Sequence, residues 1–255
     1  MPTTYSLAQA GAEEEERARL ALLEQVCDPM TARMFDEVGI KPGWRCLDVG
    51  AGAGSVTRML ADRVGPTGAV VAIDLDTRLL DDVASPVVEV RRHDLLAGPV
   101  GGQFDLVHAR HVLMHLASRL RALTCMMDEL HAGGVLAVGD VAMADVRLRD
   151  HNRPWERAWS ATLDAMIATG WDPAYGDRLT GDLEALGLVD VCSDQNRHYR
   201  RGTSLFARLL AGTVERLRDR IDASPSDIDE ALRLLTDPTT GFQTPTVIMA
   251  WGRRP

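Results

Sequence analysis

Asp48 is followed by glycines at 50, 52 and 54, and the spacing of these residues carries the most chemistry in the chain. Glycines bring backbone N–H groups within contact distance of a ligand, because no Cβ blocks the approach and unusual φ/ψ values are open to them. A carboxylate beside such a loop accepts hydrogen bonds. Asp74 stands about 20 residues beyond the glycines, where an acidic side chain receives the hydroxyls of a ribose. Asp94, after His93, offers an acceptor for an exocyclic amine. His111 and His115 supply imidazoles, the side chains best suited to taking a proton near neutral pH. His108 is close to both, but it falls within an apolar run while they follow it. The three therefore share no face, and no metal is expected.

The surrounding pattern supplies the elements that position these groups. Arg45 to Val49 reads as a buried strand, and Val56, Met59, Leu60 and Val64 mark one face of the helix after the glycines. Such a helix start adds free N–H groups and a partial positive charge. Further strands are predicted at Ala69 to Leu75, Val87 to Arg91 and Phe104 to Ala109. A helix carrying Leu116, Leu120, Leu123, Met127 and Leu130 should follow, then the turn Ala132-Gly133-Gly134 and a fifth strand, Val135 to Val141. This is the opening of an α/β nucleotide-binding domain, and NAD and S-adenosylmethionine sites share its logic.

In order and spacing, Arg45 to Asp140 resembles the class I S-adenosylmethionine-dependent methyltransferases. Leu47 to Gly54 is similar to the family's first motif, Ile73-Asp74 to its acidic strand tip, and His93-Asp94 to its adenine-side motif. Phe104 to Val107 resembles the fourth-strand motif. His131 to Gly134 resembles the Pro-Gly-Gly turn, with His131-Ala132 departing from it. The resemblance implies a Rossmann-like, seven-stranded, mostly parallel sheet with an antiparallel last strand. It also implies a helical N-terminal segment and helical cap inserts after strands five and six. The cofactor residues it implies are Asp48, Gly50, Ala51, Gly52, Asp74, Leu75, His93, Asp94, Leu95, Ala109 and Arg110. Arg19, in a Glu-x-x-Arg-Leu pattern, would pair with the methionine carboxylate, and Tyr5 would close that side.

Composition fits one enzyme domain over residues 1–255, with an N-terminal cap (1–40), a cofactor core (41–145) and a cap-bearing completion (146–255). At 45% hydrophobic residues the chain can fill a core, and a net charge of −9 argues against a nucleic-acid partner. The first residues, Met-Pro-Thr-Thr-Tyr-Ser, do not read as a leader, and no apolar run reaches membrane-spanning length. Cys27, Cys46, Cys125 and Cys192 lack metal spacing and read as reduced thiols of a cytoplasmic protein.

The remaining segments read as additions that shape a substrate site. Glu13 to Cys27 is a helix and Pro29 opens a second. Helices are predicted over Asn152 to Thr169, Gly176 to Leu186, Leu205 to Ile221 and Ser226 to Leu235, with strands at Leu188 to Tyr199 and Thr246 to Gly252. Met114, Met143, Trp155, Trp159 and Tyr175 are the candidates for an apolar pocket taking a planar molecule. The expected reaction is in-line methyl transfer to a small organic molecule, an oxygen before a nitrogen or carbon, with His111 or His115 as base. Three other readings fit parts of the pattern: a cyclase-like enzyme that keeps the cofactor, a non-catalytic regulatory subunit and an NAD-linked oxidoreductase. The N-terminal helices leave room for a homodimer contact.

Overall fold

The alternation of buried runs and amphipathic helices produces the expected sheet. The structure, a computed structural model, describes residues 12–255. It begins with α1 (Ala12–Val38), followed by β1 (Arg45–Val49), α2 (Ser55–Val64), β2 (Ala69–Asp74), β3 (Val88–Arg92) and β4 (Phe104–Arg110). Next come α3 (Arg119–Asp128), β5 (Leu130–Ala142), β6 (Arg147–Leu148), α4 (Arg153–Ala168), α5 (Leu179–Ala185), β7 (Val189–Asn196) and β8 (Tyr199–Arg201). The chain ends with α6 (Leu205–Leu217), α7 (Pro225–Thr236), β9 (Gly241–Gln243) and β10 (Thr246–Arg253). The main sheet has the order β3-β2-β1-β4-β5-β10-β7, mostly parallel with one antiparallel strand. Its order reverses between β1 and β4, the place where open α/β sheets bind ligands.

The chain divides into two compact units. One comprises residues 27–140, 175–195 and 248–255, which hold nearly all of the main sheet. Its core includes Leu47, Leu60, Leu106, Leu123 and Met249, all fully buried. Among the described residues, the other comprises residues 12–26, 141–174 and 196–247. In it Asn152, Ser204 and Ser224 cap α4, α6 and α7 by accepting from backbone N–H groups, as short polar side chains at helix starts do. Arg157 clamps Asp227 through two bonds of 2.9 and 2.6 Å, which ties α4 to α7.

Four local readings need correction. Pro29 opens no second helix, because α1 runs unbroken through it. Proline costs a helix one backbone bond, but Cys27, Met30, Met34, Phe35 and Val38 are all buried along the continuing segment. The glycine turn at 132–134 lies inside the bounds of β5, where the pairing shifts register between Phe104 and Leu106. The predicted sixth strand is two strands, β7 and β8, in different sheets. The small sheet β6-β9-β8 leaves no mark in the sequence pattern, since strands of two or three residues carry no period.

Candidate active site

Three left-handed glycines build the loop after β1: Gly50 at φ 70°, Gly52 at 60° and Gly54 at 82°. The N–H groups of Gly50 and Ala51 donate to the Ile73 carbonyl at 2.8 and 3.2 Å, which locks the loop to the tip of β2. The N–H of Gly52 donates to Asp74 Oδ2 at 2.9 Å. Asp74 Oδ1 accepts from the Asp76 N–H at 3.0 Å. Burial pushes the Asp74 carboxyl above the usual carboxylate range, against the pull of these donors. A Cβ on Gly50 would run into the Val112 side chain, so the β4 loop closes on the glycine loop with no space between.

Asp48 lies beneath the loop and is buried. Its carboxylate accepts from Thr57 Oγ1 at 2.6 Å and faces His108 Nδ1 at 3.0 Å. Burial holds His108 below its ordinary pKa. Asp48 therefore braces the loop from below, and His108 is packed within β4.

At the tip of β2, Leu75 is 44% exposed, an unusual position for a large apolar side chain beside a carboxylate. The His93 N–H donates to the Asp74 carbonyl at 2.9 Å, and its Nε2 faces the Gly98 carbonyl at 2.9 Å. Asp94 is exposed and accepts from the Leu96 N–H at 2.9 Å, which fixes its side chain in a tight turn; Leu95 is buried. Leu75, Asp74 and Asp94 thus present one apolar and two acidic surfaces at neighbouring strand tips.

Beyond β4, Ala109 is buried, and Arg110 reaches toward α1. Its guanidinium donates to Asp28 and Thr31 Oγ1, both at 2.8 Å, and to Ser55 Oγ at 3.2 Å. Ser55 also donates to Asp28 at 3.1 Å. Sequence pattern points to Arg110 but not to Asp28, Thr31 or Ser55. No local pattern links them, because their partners lie on different elements. His111 has a left-handed backbone, φ 56°, and its ring lies between Cys27 and Asp140. His115 closes a short 3-10 turn, Leu113–His115, and Met114 beside it is buried.

Of the remaining predicted residues, Tyr175 is buried and donates to Asp182 at 3.0 Å, with the Arg119 guanidinium 5.2 Å from its ring. Met143, Trp155 and Trp159 belong to the other unit and are buried in its apolar core. The two tryptophans stack there, with ring centroids 5.5 Å apart. Arg19, in that same unit, bonds Glu16 at 2.9 Å, and Arg216 faces Glu16 at 3.5 Å. Tyr5 lies outside the described residues.

Comparison with known proteins places this geometry. Residues 47–138 match the family model described as a methyltransferase domain. A ubiquinone/menaquinone biosynthesis C-methyltransferase of Pseudomonas savastanoi pv. phaseolicola is 30% identical over 156 residues, which are 58% of this chain and 57% of that protein. A trans-aconitate 2-methyltransferase of Agrobacterium fabrum is 31% identical over 121 residues, 44% of this chain and 47% of that one. The chain thus spans about half the length of these curated relatives. A phosphoethanolamine N-methyltransferase 2 of Haemonchus contortus, solved with S-adenosyl-L-methionine, shares the fold at TM-score 0.54. It is 16% identical and covers 94% of this chain and 52% of that one. The glycine loop and the Asp74 tip lie within the matched residues, and these findings support a class I S-adenosylmethionine-dependent methyltransferase domain over residues 47–138.

Proposed function

We propose that this protein transfers the methyl group of S-adenosylmethionine to a small organic molecule, at an oxygen. The observation that carries this reading is the Gly52–Asp74 contact at the switch point of the sheet, with Leu75 exposed beside it. The loop backbone, open for want of Cβ atoms, and the start of α2 face the cofactor's methionine half. Asp74 takes the ribose hydroxyls, Leu75 lies against the adenine, and Asp94 accepts from its amine. Asp48 supports the loop from beneath. Arg110 holds α1 against the loop through Asp28 and Ser55.

S-adenosylmethionine supplies an already activated methyl group on a sulfonium, so the protein's task is chiefly alignment. The acceptor must approach the methyl opposite the departing sulfur. His111 and His115 are the imidazoles we assign to the acceptor. A net charge of −9 fits a small-molecule acceptor better than a polyanion, and a relative named for trans-aconitate supports a small acid. Met114 and Tyr175 remain our candidates for substrate contacts.

The test is incubation of the full chain with S-adenosylmethionine and panels of small acids, phenols and amines, reading S-adenosylhomocysteine and methylated product by mass spectrometry. Methylated oxygen acceptors are expected. Methylation confined to amines or carbon acids would overturn the oxygen assignment.

A further inference from the structure

Both ring nitrogens of His111 face protein groups. Nε2 lies 3.3 Å from Cys27 Sγ, and Nδ1 lies 3.8 Å from Asp140 Oδ1. The backbone fixes this placement. The His111 N–H donates to the Gly139 carbonyl at 2.8 Å, and φ is 56°, a conformation that residues with a Cβ rarely adopt. The side chain is only 10% exposed.

Asp140 is more deeply enclosed, at 1% exposed. Its Oδ2 accepts from the Met114 N–H at 3.1 Å. Its Oδ1 has no hydrogen-bond partner among the described residues. A carboxylate buried to this degree is either neutral or opposite a positive charge. The ring of His111 stands in that place.

We propose that Cys27 and Asp140 are positioning residues that hold the His111 imidazole charged, so that His111 meets the acceptor as a cation and not as a base. This rests on the methyltransferase reading above and names the acceptor class for it. A base needs a nitrogen lone pair aimed at the acceptor. Here one nitrogen faces a sulfur and the other a carboxylate. A charged ring instead offers a positive field to an acceptor that has already lost its proton, a carboxylate or an acidic hydroxyl. Transfer to such an oxygen balances without a base. The oxygen's electron pair forms the new O–CH3 bond, the C–S pair returns to sulfur, and the anionic and sulfonium charges cancel.

The groups that face His111 come from three elements: Cys27 on α1, Asp140 on β5 and His108 on β4, where Arg110 acts on His108 in turn. Arg119 and Tyr175 act in turn on Asp140. Burial opposes charge on His111, but Cys27 and Asp140 outweigh it and push the imidazole up to about 9. Burial also raises Asp140, and the charge on His111 pulls it back toward ionisation.

The experiment is an NMR titration of the full chain labelled with 15N-histidine, in which His111→Gln identifies the signal. We expect His111 to titrate near 9 in the intact protein. It should fall toward the ordinary histidine value of about 6.5 in Cys27→Ala and in Asp140→Asn, with Cys27→Ser restoring part of the shift. A His111 that titrates at or below about 6.5 in the intact protein overturns the proposal, as does one unmoved by both variants. If a variant does not fold, the intact protein decides alone. The titration needs no cofactor. A protein that fails to bind S-adenosylmethionine yet shows a high-titrating His111 would refute the methyltransferase reading and leave this pairing in place.

Discussion

Asp74 makes two backbone hydrogen bonds and is the carboxylate to which we assign the cofactor's ribose. Replacing it with alanine removes charge-assisted bonds and should weaken S-adenosylmethionine binding by about 1.5–3 kcal/mol, roughly 10- to 100-fold in Kd. Equilibrium binding measures this, and an unchanged Kd would remove Asp74 from the site. Gly50→Val should abolish binding, because its left-handed φ and its contact with Val112 leave no place for a branched side chain. His111 carries a stability consequence as well. Its folded pKa lies above its unfolded one, so its contribution is complete below about 6.5 and is lost as pH rises through about 9. Denaturant midpoints for the wild type and His111→Gln should therefore converge across that window; a gap that persists above it would contradict the assignment. Asp74 was legible in the sequence because strand end, glycines and spacing are local signals. Cys27 was not, since its contact with His111 joins residues 84 positions apart.

Among the elements, α1 departs most from its sequence pattern. An exposed Pro29 in its interior leaves the Gln25 carbonyl without its helical donor. Pro29→Ala should therefore raise stability by up to about 3 kcal/mol, read as a higher thermal midpoint. A lower midpoint would mean that the proline fixes a bend the fold requires. The five parallel-sheet strands β1 to β5 and the capped helices α4, α6 and α7 were legible, because each combines a period with a bounding glycine, proline or short polar residue. Pro29 misled because the burial of Met30, Met34 and Phe35 outweighs a local rule. The small β6-β9-β8 sheet was illegible because pairing between distant, very short segments creates it.

For the whole molecule, sequence motifs offered candidates for a cofactor half of the site but gave no comparable guide to an acceptor half. The predicted residues of the glycine loop and the β2 to β4 tips share one unit, whereas Met143, Trp155, Trp159 and Arg19 belong to the other. Aromatic clustering alone could not separate a pocket lining from a helical core, since both require the same apolar side chains. Among the described residues no helix is long and apolar enough to cross a membrane. A cofactor that binds only the folded chain must stabilise it. S-adenosylhomocysteine at ~100-fold above its Kd should raise the thermal midpoint by about 5–10 °C, and no shift under saturating ligand would show that the folded chain does not bind it. The central claim is tested most directly by calorimetric titration of the full chain with S-adenosylmethionine and S-adenosylhomocysteine, with mass spectrometry of the purified protein for carried-over ligand. Binding of both with Kd of about 1 μM, lost in Gly50→Val, is the predicted result. No heat from either compound, in a folded protein carrying no ligand, would contradict it.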